Sequence, residues 1–181
     1  MTPGDARSEL LRTLCEYAES RSGSAPPGIS LSTVLRNYYR HIAVEDLLDR
    51  NEVDLCGAVM HHLRSGLERP QGTAIVRIFT PTVPVNGWSA GGHTVVEVIT
   101  DDMPFLVDSV TMALDQDQHD IHLVVHPQLV VRRDMAGHLQ EVLDEHPDEH
   151  TDTQAHDLAW ESWIHLELSL IHISEPTRLL S

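Results

Sequence analysis

Apolar residues recur at helical spacing in three stretches of the first part of the chain, and each stretch predicts an amphipathic helix. The first, residues 6–21, is followed at 22–28 by serines, glycines and prolines that have the composition of a linker. The second begins after Ser30, a residue suited to cap a helix N-terminus. The third ends before Pro70 and Gly72. The apolar faces consist of Leu10, Leu11, Leu14 and Ala18 in the first helix, of Leu31, Val34, Leu35, Tyr38 and Ile42 in the second, and of Leu55, Val59, Met60, Leu63 and Leu67 in the third.

From residue 73 onward the pattern changes from helical to extended, because β-branched and aromatic residues become frequent. A helix is predicted from Asp101 to about Gln116, with Pro104 in its first turn. This order predicts an α+β fold with a helical N-terminal extension. The sheet is expected to be the front part of a split β-α-β, ferredoxin-like sandwich, at least partly antiparallel and with helices on one face. Strands are predicted at residues 73–80, 94–100, 121–125, 128–133, 138–143 and 162–167, with a hairpin turn at 135–137.

Charge narrows the range of partners. The chain has 28 acidic residues against 12 basic ones and a formal net charge of −16, so nucleic acid and anionic membrane surfaces are expected to be repelled. Cys15 and Cys56 are too few and too far apart for a disulfide scaffold, which favours a reducing compartment. No apolar run approaches the roughly twenty residues of a membrane span. These features predict a soluble, cytoplasmic protein without a nucleic-acid or membrane partner.

One short motif suggests hydrolase chemistry. Residues 87–91 read G-W-S-A-G and match the G-x-S-x-G nucleophile elbow, in which the serine lies on a sharp turn between a strand and a helix. Here Pro81 and Pro84 precede the motif, and a predicted strand follows it. The context therefore favours a flexible hairpin loop. A small serine hydrolase with Ser89 as nucleophile is an alternative function.

Histidines occur at spacings that suggest metal ligands, but the predicted elements argue against each group. His122 and His126 share a face of a predicted strand about 13 Å apart, which is too far for one ion. His61 and His62 are neighbours that point to different sides of their helix. No metal site is predicted. The remaining candidates lie in an acidic segment, 144–157, with the composition of a solvated charge run, and are His146, His150 and His156.

Asp101 and Asp102 stand where a predicted strand passes into a predicted helix. Carboxylates at a helix start accept backbone N–H bonds and complement the helix dipole, so capping is the predicted role. Binding of a ligand by the free amides of the same loop is the alternative. No G-x-G-x-x-G motif follows a predicted strand, and all 12 basic residues are arginines, so the chain has no lysine for covalent catalysis. The sequence therefore predicts no catalytic residues.

A longer resemblance rests on five segments, which are residues 38–41, 44–47, 69–73, 94–114 (T-V-V-E-V-I-T-D-D-M-P-F-L-V-D-S-V-T-M-A-L) and 122–133 (H-L-V-V-H-P-Q-L-V-V-R-R). These resemble the N-terminal region of the large bacterial NAD-specific glutamate dehydrogenases, especially those of actinobacteria. The likeness spans roughly residues 31–167.

The resemblance implies that the chain is part of a regulatory, ACT-like region and that a Rossmann-type catalytic domain lies downstream in a parent enzyme. The parent would oxidise L-glutamate to 2-oxoglutarate and ammonium while reducing NAD. NAD would be the parent's cofactor, with no cofactor bound by this segment. The implied partners are the remainder of the parent enzyme and a small-molecule effector, and the parent is expected to be a homo-oligomer.

ACT domains commonly hold their effector at the loop between the first strand and the first helix. In this chain the matching residues are Asp101, Asp102, Pro104 and Phe105, which are the predicted effector or interface loop. Phe105 stands where the usual ACT pattern has a glycine that lets a ligand approach the backbone. A free-standing ACT-type sensor or interaction module is the alternative to an enzyme's regulatory segment.

The sequence divides into four expected parts. Residues 1–29 form an N-terminal helix and linker, 30–72 a helical segment, and 73–167 a truncated ACT-like domain. Residues 168–181 are expected to be a non-native tail, because 168–178 (L-S-L-I-H-I-S-E-P-T-R) resembles a translated sequencing adapter. The ACT-like sheet would then lack its second helix and final strand, which predicts an incomplete core and marginal stability.

Overall fold

The chain folds as helices followed by a mixed region of strands and helices. The computed structural model describes residues 3–21, 26–116, 119–144 and 158–169. The helices are α1 Pro3–Ser20, α2 Leu31–Tyr38, α3 Val44–Leu48, α4 Glu52–Ser65, α5 Val83–Asn86 and α6 Leu106–Gln116. The strands are β1 Ile75–Phe79, β2 Thr94–Asp101, β3 Asp120–Val125, β4 Gln128–Arg133, β5 Leu139–Val142 and β6 Leu158–Ser169.

The sheet is built around its longest strand, β6. Strand β2 pairs antiparallel along one side of β6, with Glu97 opposite His165. Strands β3 and β4 follow one another along the other side, also antiparallel to β6. Strand β1 pairs with the outer side of β2, and β5 forms a hairpin with β4. Because β2 and β3 are both antiparallel to β6, they run parallel to each other with β6 between them, and α6 connects them. The predicted split β-α-β unit is therefore confirmed.

Helices cover both faces of this sheet, so the prediction of helices on one face was wrong. Helices α1, α2 and α4 pack on one face, against side chains such as Ile99 and Trp163. Helix α6 packs on the opposite face, against side chains such as Val98 and Leu166. Strand β2 is consequently buried along almost its whole length, and β6 is buried from Glu161 to Leu168. Any polar side chain on these two strands must find its partners inside the protein.

Capping side chains set the starts of two helices. The Ser30 hydroxyl accepts a hydrogen bond from the Thr33 amide at the start of α2, as its position in the sequence predicted. The side chain of Asn51 does the same for Asp54 at the start of α4. The short helices α3 and α5 were not predicted, since five and four residues are too few to show a period.

The N-terminal helix docks firmly on the rest of the fold. Leu14 is fully buried and Ala18 nearly so, within the same core as α2, α4 and the sheet. The Arg7 guanidinium donates to the carbonyls of Tyr39 and Ile42, which ties α1 to the end of α2. None of the helices in the described ranges combines the length and apolar character that crossing a membrane requires.

Two predictions concern the C-terminal part of the chain. Leu168 and Ser169, which belong to the expected non-native tail, continue β6, and Leu168 is buried against α6. Residues 170–181 lie outside the described residues, as does most of the acidic segment with His146, His150 and His156.

Candidate functional site

The loop between β2 and α6 is anchored at its start by two carboxylates. Asp101 accepts from Arg69 Nη2 at 2.6 Å and from the Gly72 amide at 3.1 Å. Asp102 accepts from Ser162 Oγ at 2.6 Å and from Gln128 Nε2 at 3.1 Å. The predicted capping role is therefore wrong for both residues. Asp101 is the last residue of β2, and α6 begins only at Leu106, so both carboxylates bind groups of neighbouring strands and loops.

The tip of the same loop is exposed and apolar. Phe105 has 78% of its surface exposed and Met103 46%, and Pro104 between them is also exposed. Phe105 has a φ of 61°, in the left-handed region that favours glycine. The backbone therefore has the conformation that a glycine would take, while the position carries a large aromatic ring. The loop is anchored by the two carboxylates at its β2 end and continues directly into α6, so the exposed ring stands on a supported protrusion.

A buried cluster of charges lies under the loop. Glu161 is fully buried and accepts from Arg69 Nη2 at 2.7 Å, from Arg133 Nε at 2.7 Å and from Trp163 Nε1 at 3.0 Å. Burial raises the pKa of the Glu161 carboxyl, but the hydrogen bonds and charges of Arg133 and Arg69 outweigh burial and hold that pKa below its usual value. Arg69 bridges Glu161 and Asp101, so the cluster connects the loop to the centre of the sheet.

A second polar cluster lies between α4 and the sheet. Its members are His62 on α4, Glu97 on β2 and His165 on β6, which are 0%, 1% and 1% exposed, and we call it the histidine–carboxylate cluster. Each of these three residues has one nitrogen or oxygen atom able to bind a metal ion, and these three atoms lie within 4.8 Å of one another. The Glu97 carboxylate also contacts His61 Nδ1 at 3.0 Å and accepts from Ser65 Oγ at 3.3 Å.

Further polar groups support the two histidines of this cluster. His62 Nδ1 is 2.7 Å from the Tyr38 hydroxyl, and His165 Nε2 is 3.2 Å from Glu167 Oε1. Arg50 donates to both oxygens of Glu167 at 2.7 Å. Burial lowers the pKa of His62 to about 4. Burial raises the pKa of Glu167, but its bonds to His165 and Arg50 prevail and lower that pKa to about 2.

Sequence reasoning missed this cluster for an identifiable reason. Adjacent helix positions point in directions about 100° apart, which argued that His61 and His62 serve different sites. Glu97 lies between the two directions: His61 bonds its carboxylate, and His62 has a donor atom near it. The alternation of polar and apolar residues in W-I-H-L-E-L of β6 is typical of a strand with one face in water. Only the helices on both faces show that His165 and Glu167 are buried.

The other predicted candidates are dispersed. The Ser89 amide donates to Asp54 at 2.7 Å and its hydroxyl accepts from the Gly91 amide, in a loop followed by a strand rather than by a helix. The predicted loop is therefore found at residues 87–93, whereas the short helix α5 before it was not predicted. The ring of His122 stacks on His93 at 4.0 Å, and its Nε2 is 2.9 Å from Ser169 Oγ.

A cavity of about 400 Å³ opens beside the base of the β2–α6 loop. Arg40 and His41, from the turn after α2, line one side, and His126 and Gln128 line the other. Gln128 also donates to Asp102, which places this cavity next to the predicted effector loop. Burial lowers the pKa of His126. The lining offers cationic and neutral hydrogen-bonding groups of the kind that bind a small carboxylate.

Comparison with known proteins agrees with this architecture. Residues 34–180 match the family described as "Glutamate dehydrogenase, ACT1 domain". The chain is 34% identical over 142 residues to an NAD-specific glutamate dehydrogenase of Halomonas elongata, covering 76% of this chain and 8% of that protein. It is 33% identical over 165 residues to an NAD-specific glutamate dehydrogenase of Pseudomonas aeruginosa, covering 91% of this chain and 9% of that protein.

The chain thus spans less than a tenth of the length of these two relatives. No solved structure gives a significant match. The family match covers most of the chain, including α4, the whole described sheet and the β2–α6 loop. The chain belongs to the ACT1-domain family of the glutamate dehydrogenases.

Proposed function

We propose that this chain is a regulatory segment of an NAD-dependent glutamate dehydrogenase and that its β2–α6 loop is the point of contact with the remainder of the enzyme. The reaction, in which L-glutamate, NAD and water give 2-oxoglutarate, ammonium and NADH, would take place outside this segment. The absence of lysine and of a G-x-G-x-x-G motif supports that division of labour.

The exposed ring of Phe105 is the observation that supports the β2–α6 loop as the contact with the remainder of the enzyme. Aromatic side chains that stand out from a rigid support are the residues that most often anchor interfaces. Asp101 and Asp102 hold the β2 end of the loop, and α6 begins directly after Phe105, so the ring is presented without much further ordering on binding. The two carboxylates are already occupied by Arg69, Ser162 and other groups within the chain. Their occupation favours an interface role for the loop over an effector role.

A chimeric enzyme tests this proposal. The segment of the Pseudomonas aeruginosa enzyme that matches this chain is replaced by the chain itself, and glutamate-dependent NADH formation and oligomeric state are measured. We expect the chimera to be active and Phe105→Ala in it to weaken assembly or regulation. Met135→Ala, which removes an even more exposed apolar side chain from the β4–β5 hairpin, is the control and is expected to have no effect. Identical behaviour of the two variants would contradict the proposed contact.

The cavity at Arg40 favours a second function, which is the sensing of a small carboxylate such as an amino acid. Thermal unfolding of the chain with and without a panel of amino acids tests it. A ligand that raises the Tm of the wild-type chain but not that of Arg40→Gln would support this function. The absence of any shift at millimolar concentrations would contradict it.

A further inference from the structure

Two buried imidazole nitrogens in the histidine–carboxylate cluster have no hydrogen-bond partner within the described part of the chain. By hydrogen-bond geometry they are Nδ1 of His165 and Nε2 of His62, whose ring has in addition a weak contact with the backbone of Val98. Buried polar side-chain atoms in folded proteins are almost always paired, so an unpaired one calls for an explanation. Both residues are at most 1% exposed, and each has a potential metal-ligand atom within 4.8 Å of one on Glu97. Two unpaired nitrogens in one cluster suggest that the cluster binds a ligand that pairs with both of them.

The donor set has the chemistry of a metal site. Two imidazoles and one carboxylate are the ligands with which proteins hold zinc and other divalent transition metals. Each of the three residues comes from a different element, α4, β2 and β6, and their donor atoms lie within 4.8 Å of one another. Tetrahedral zinc with bonds of about 2.0–2.1 Å holds its ligand atoms about 3.4 Å apart. The widest pair would therefore have to close by at most about 1.4 Å.

The surroundings also fit a metal site. Histidine ligands usually bond a carboxylate or another polar group through the ring nitrogen that does not face the metal. Here the Tyr38 hydroxyl holds Nδ1 of His62, and Glu167 holds Nε2 of His165. The two nitrogens left for an ion are the unpaired ones. Arg50 in turn holds Glu167 through two hydrogen bonds, so Glu167 fixes the orientation of the His165 ring from the side opposite the unpaired nitrogen.

We propose that His62, Glu97 and His165 bind one divalent zinc ion, which ties α4 to β2 and β6. The ion balances the buried charge of Glu97 and gives both unpaired nitrogens a partner. Three protein ligands leave the fourth position of a tetrahedral ion to a water molecule or to the second oxygen of Glu97, and the burial of all three residues favours a structural role. The sequence predicted no metal site, and this proposal replaces that prediction for these three residues. It does not depend on the proposed regulatory function.

The test uses the 181-residue chain without an affinity tag, stripped of metal with EDTA. Zinc is added back, its binding is followed by isothermal titration calorimetry, and bound zinc per chain is determined by mass spectrometry of the metal. We expect one tightly bound ion per wild-type chain and a higher Tm with zinc than without. Glu97→Gln keeps the size of the side chain but removes the anionic ligand, and we expect it to weaken zinc binding at least about 100-fold.

A control separates this site from the acidic segment, whose three histidines also suit zinc. A variant with His146, His150 and His156 all changed to glutamine is expected to bind the buried ion as the wild type does. If Glu97→Gln fails to fold, Tyr38→Phe serves instead. It removes only the hydroxyl that holds His62, and about 10-fold weaker binding is expected.

X-ray absorption spectroscopy of the wild-type zinc complex identifies the ligands of the ion without any variant. We expect two imidazole ligands. The proposal is overturned by any of three results: no stoichiometric zinc at micromolar concentrations, loss of the ion in the triple histidine variant, or a ligand shell without histidine.

Discussion

Removal of the Glu161 charge tests whether the buried charge cluster holds the sheet and the β2–α6 loop together. Glu161→Gln keeps the shape of the side chain, but it puts an amide among the donors of Arg69, Arg133 and Trp163, all within 3.1 Å of the carboxylate. Loss of one partner from a buried ion pair typically costs about 3–5 kcal/mol. Arg69 keeps its bond to Asp101, so we expect the lower end of that range, about 3 kcal/mol.

The assay is equilibrium unfolding in urea, followed by tryptophan fluorescence. For a slope of about 1–3 kcal/mol per molar urea, a loss of about 3 kcal/mol lowers the midpoint by about 1–3 M. Glu141→Gln is the matched control, because Glu141 pairs with Arg132 on the surface, where both side chains are at least 40% exposed. It is expected to cost at most about 1 kcal/mol. Equal midpoints for the two variants would refute the reasoning.

The wild type and Glu161→Gln are also expected to differ in the pH dependence of their stability. Arg133 and Arg69 hold the pKa of Glu161 below its usual value of 4.5. The ionised carboxylate therefore stabilises the fold fully above pH 4.5, and this contribution disappears as the pH falls through the lower pKa of the folded state. We expect the difference in unfolding free energy between wild type and Glu161→Gln to be constant from pH 7 to 5 and to shrink below 4.5. A difference that stays constant down to the acid unfolding transition would contradict this.

Three further predictions concern the backbone and the core, each measured as a free energy of unfolding in urea. Phe105→Gly relieves the positive φ of 61° and is expected to stabilise the chain by about 0.5 kcal/mol, whereas Phe105→Ala, which keeps the strain, is not. Gly66→Ala places a Cβ 2.5 Å from Trp163 Cη2 and is expected to cost about 1–3 kcal/mol; an unchanged midpoint would show that this contact is looser than described. Ser30→Ala removes the cap of Thr33 and is expected to cost about 1 kcal/mol, with Ser8→Ala, which removes an exposed hydroxyl from the interior of α1, as control.

The sequence allowed the main elements to be predicted because their periods are strong. The apolar faces of α2 and α4 and the β-branched run of β2 are each long enough to show a clear period, and the β4–β5 hairpin is marked by its turn at residues 135–137. The start of α6 was misplaced, because the carboxylates of Asp101 and Asp102 resemble helix caps. Their real partners, Arg69 and Ser162, are distant in the sequence, and no local rule identifies them.

The polar residues of the central strands were the hardest to interpret. Glu97, Glu161 and His165 follow the alternation of strands that face water on one side, and composition alone gives no reason to bury them. Their burial depends on the helical layer formed by the first part of the chain, which covers that face of the sheet. Ion pairs between residues distant in the sequence, such as Arg50 with Glu167, offset the free-energy cost of removing these charges from water.

The central proposal is that this segment regulates a glutamate dehydrogenase without performing its chemistry. The most direct test is to incubate the purified chain with L-glutamate and NAD and to follow NADH absorbance, with calorimetric titration of NAD in parallel. The account predicts no NADH formation and no NAD binding at micromolar concentrations. Glutamate-dependent reduction of NAD by the chain alone, or tight binding of the nucleotide, would contradict it.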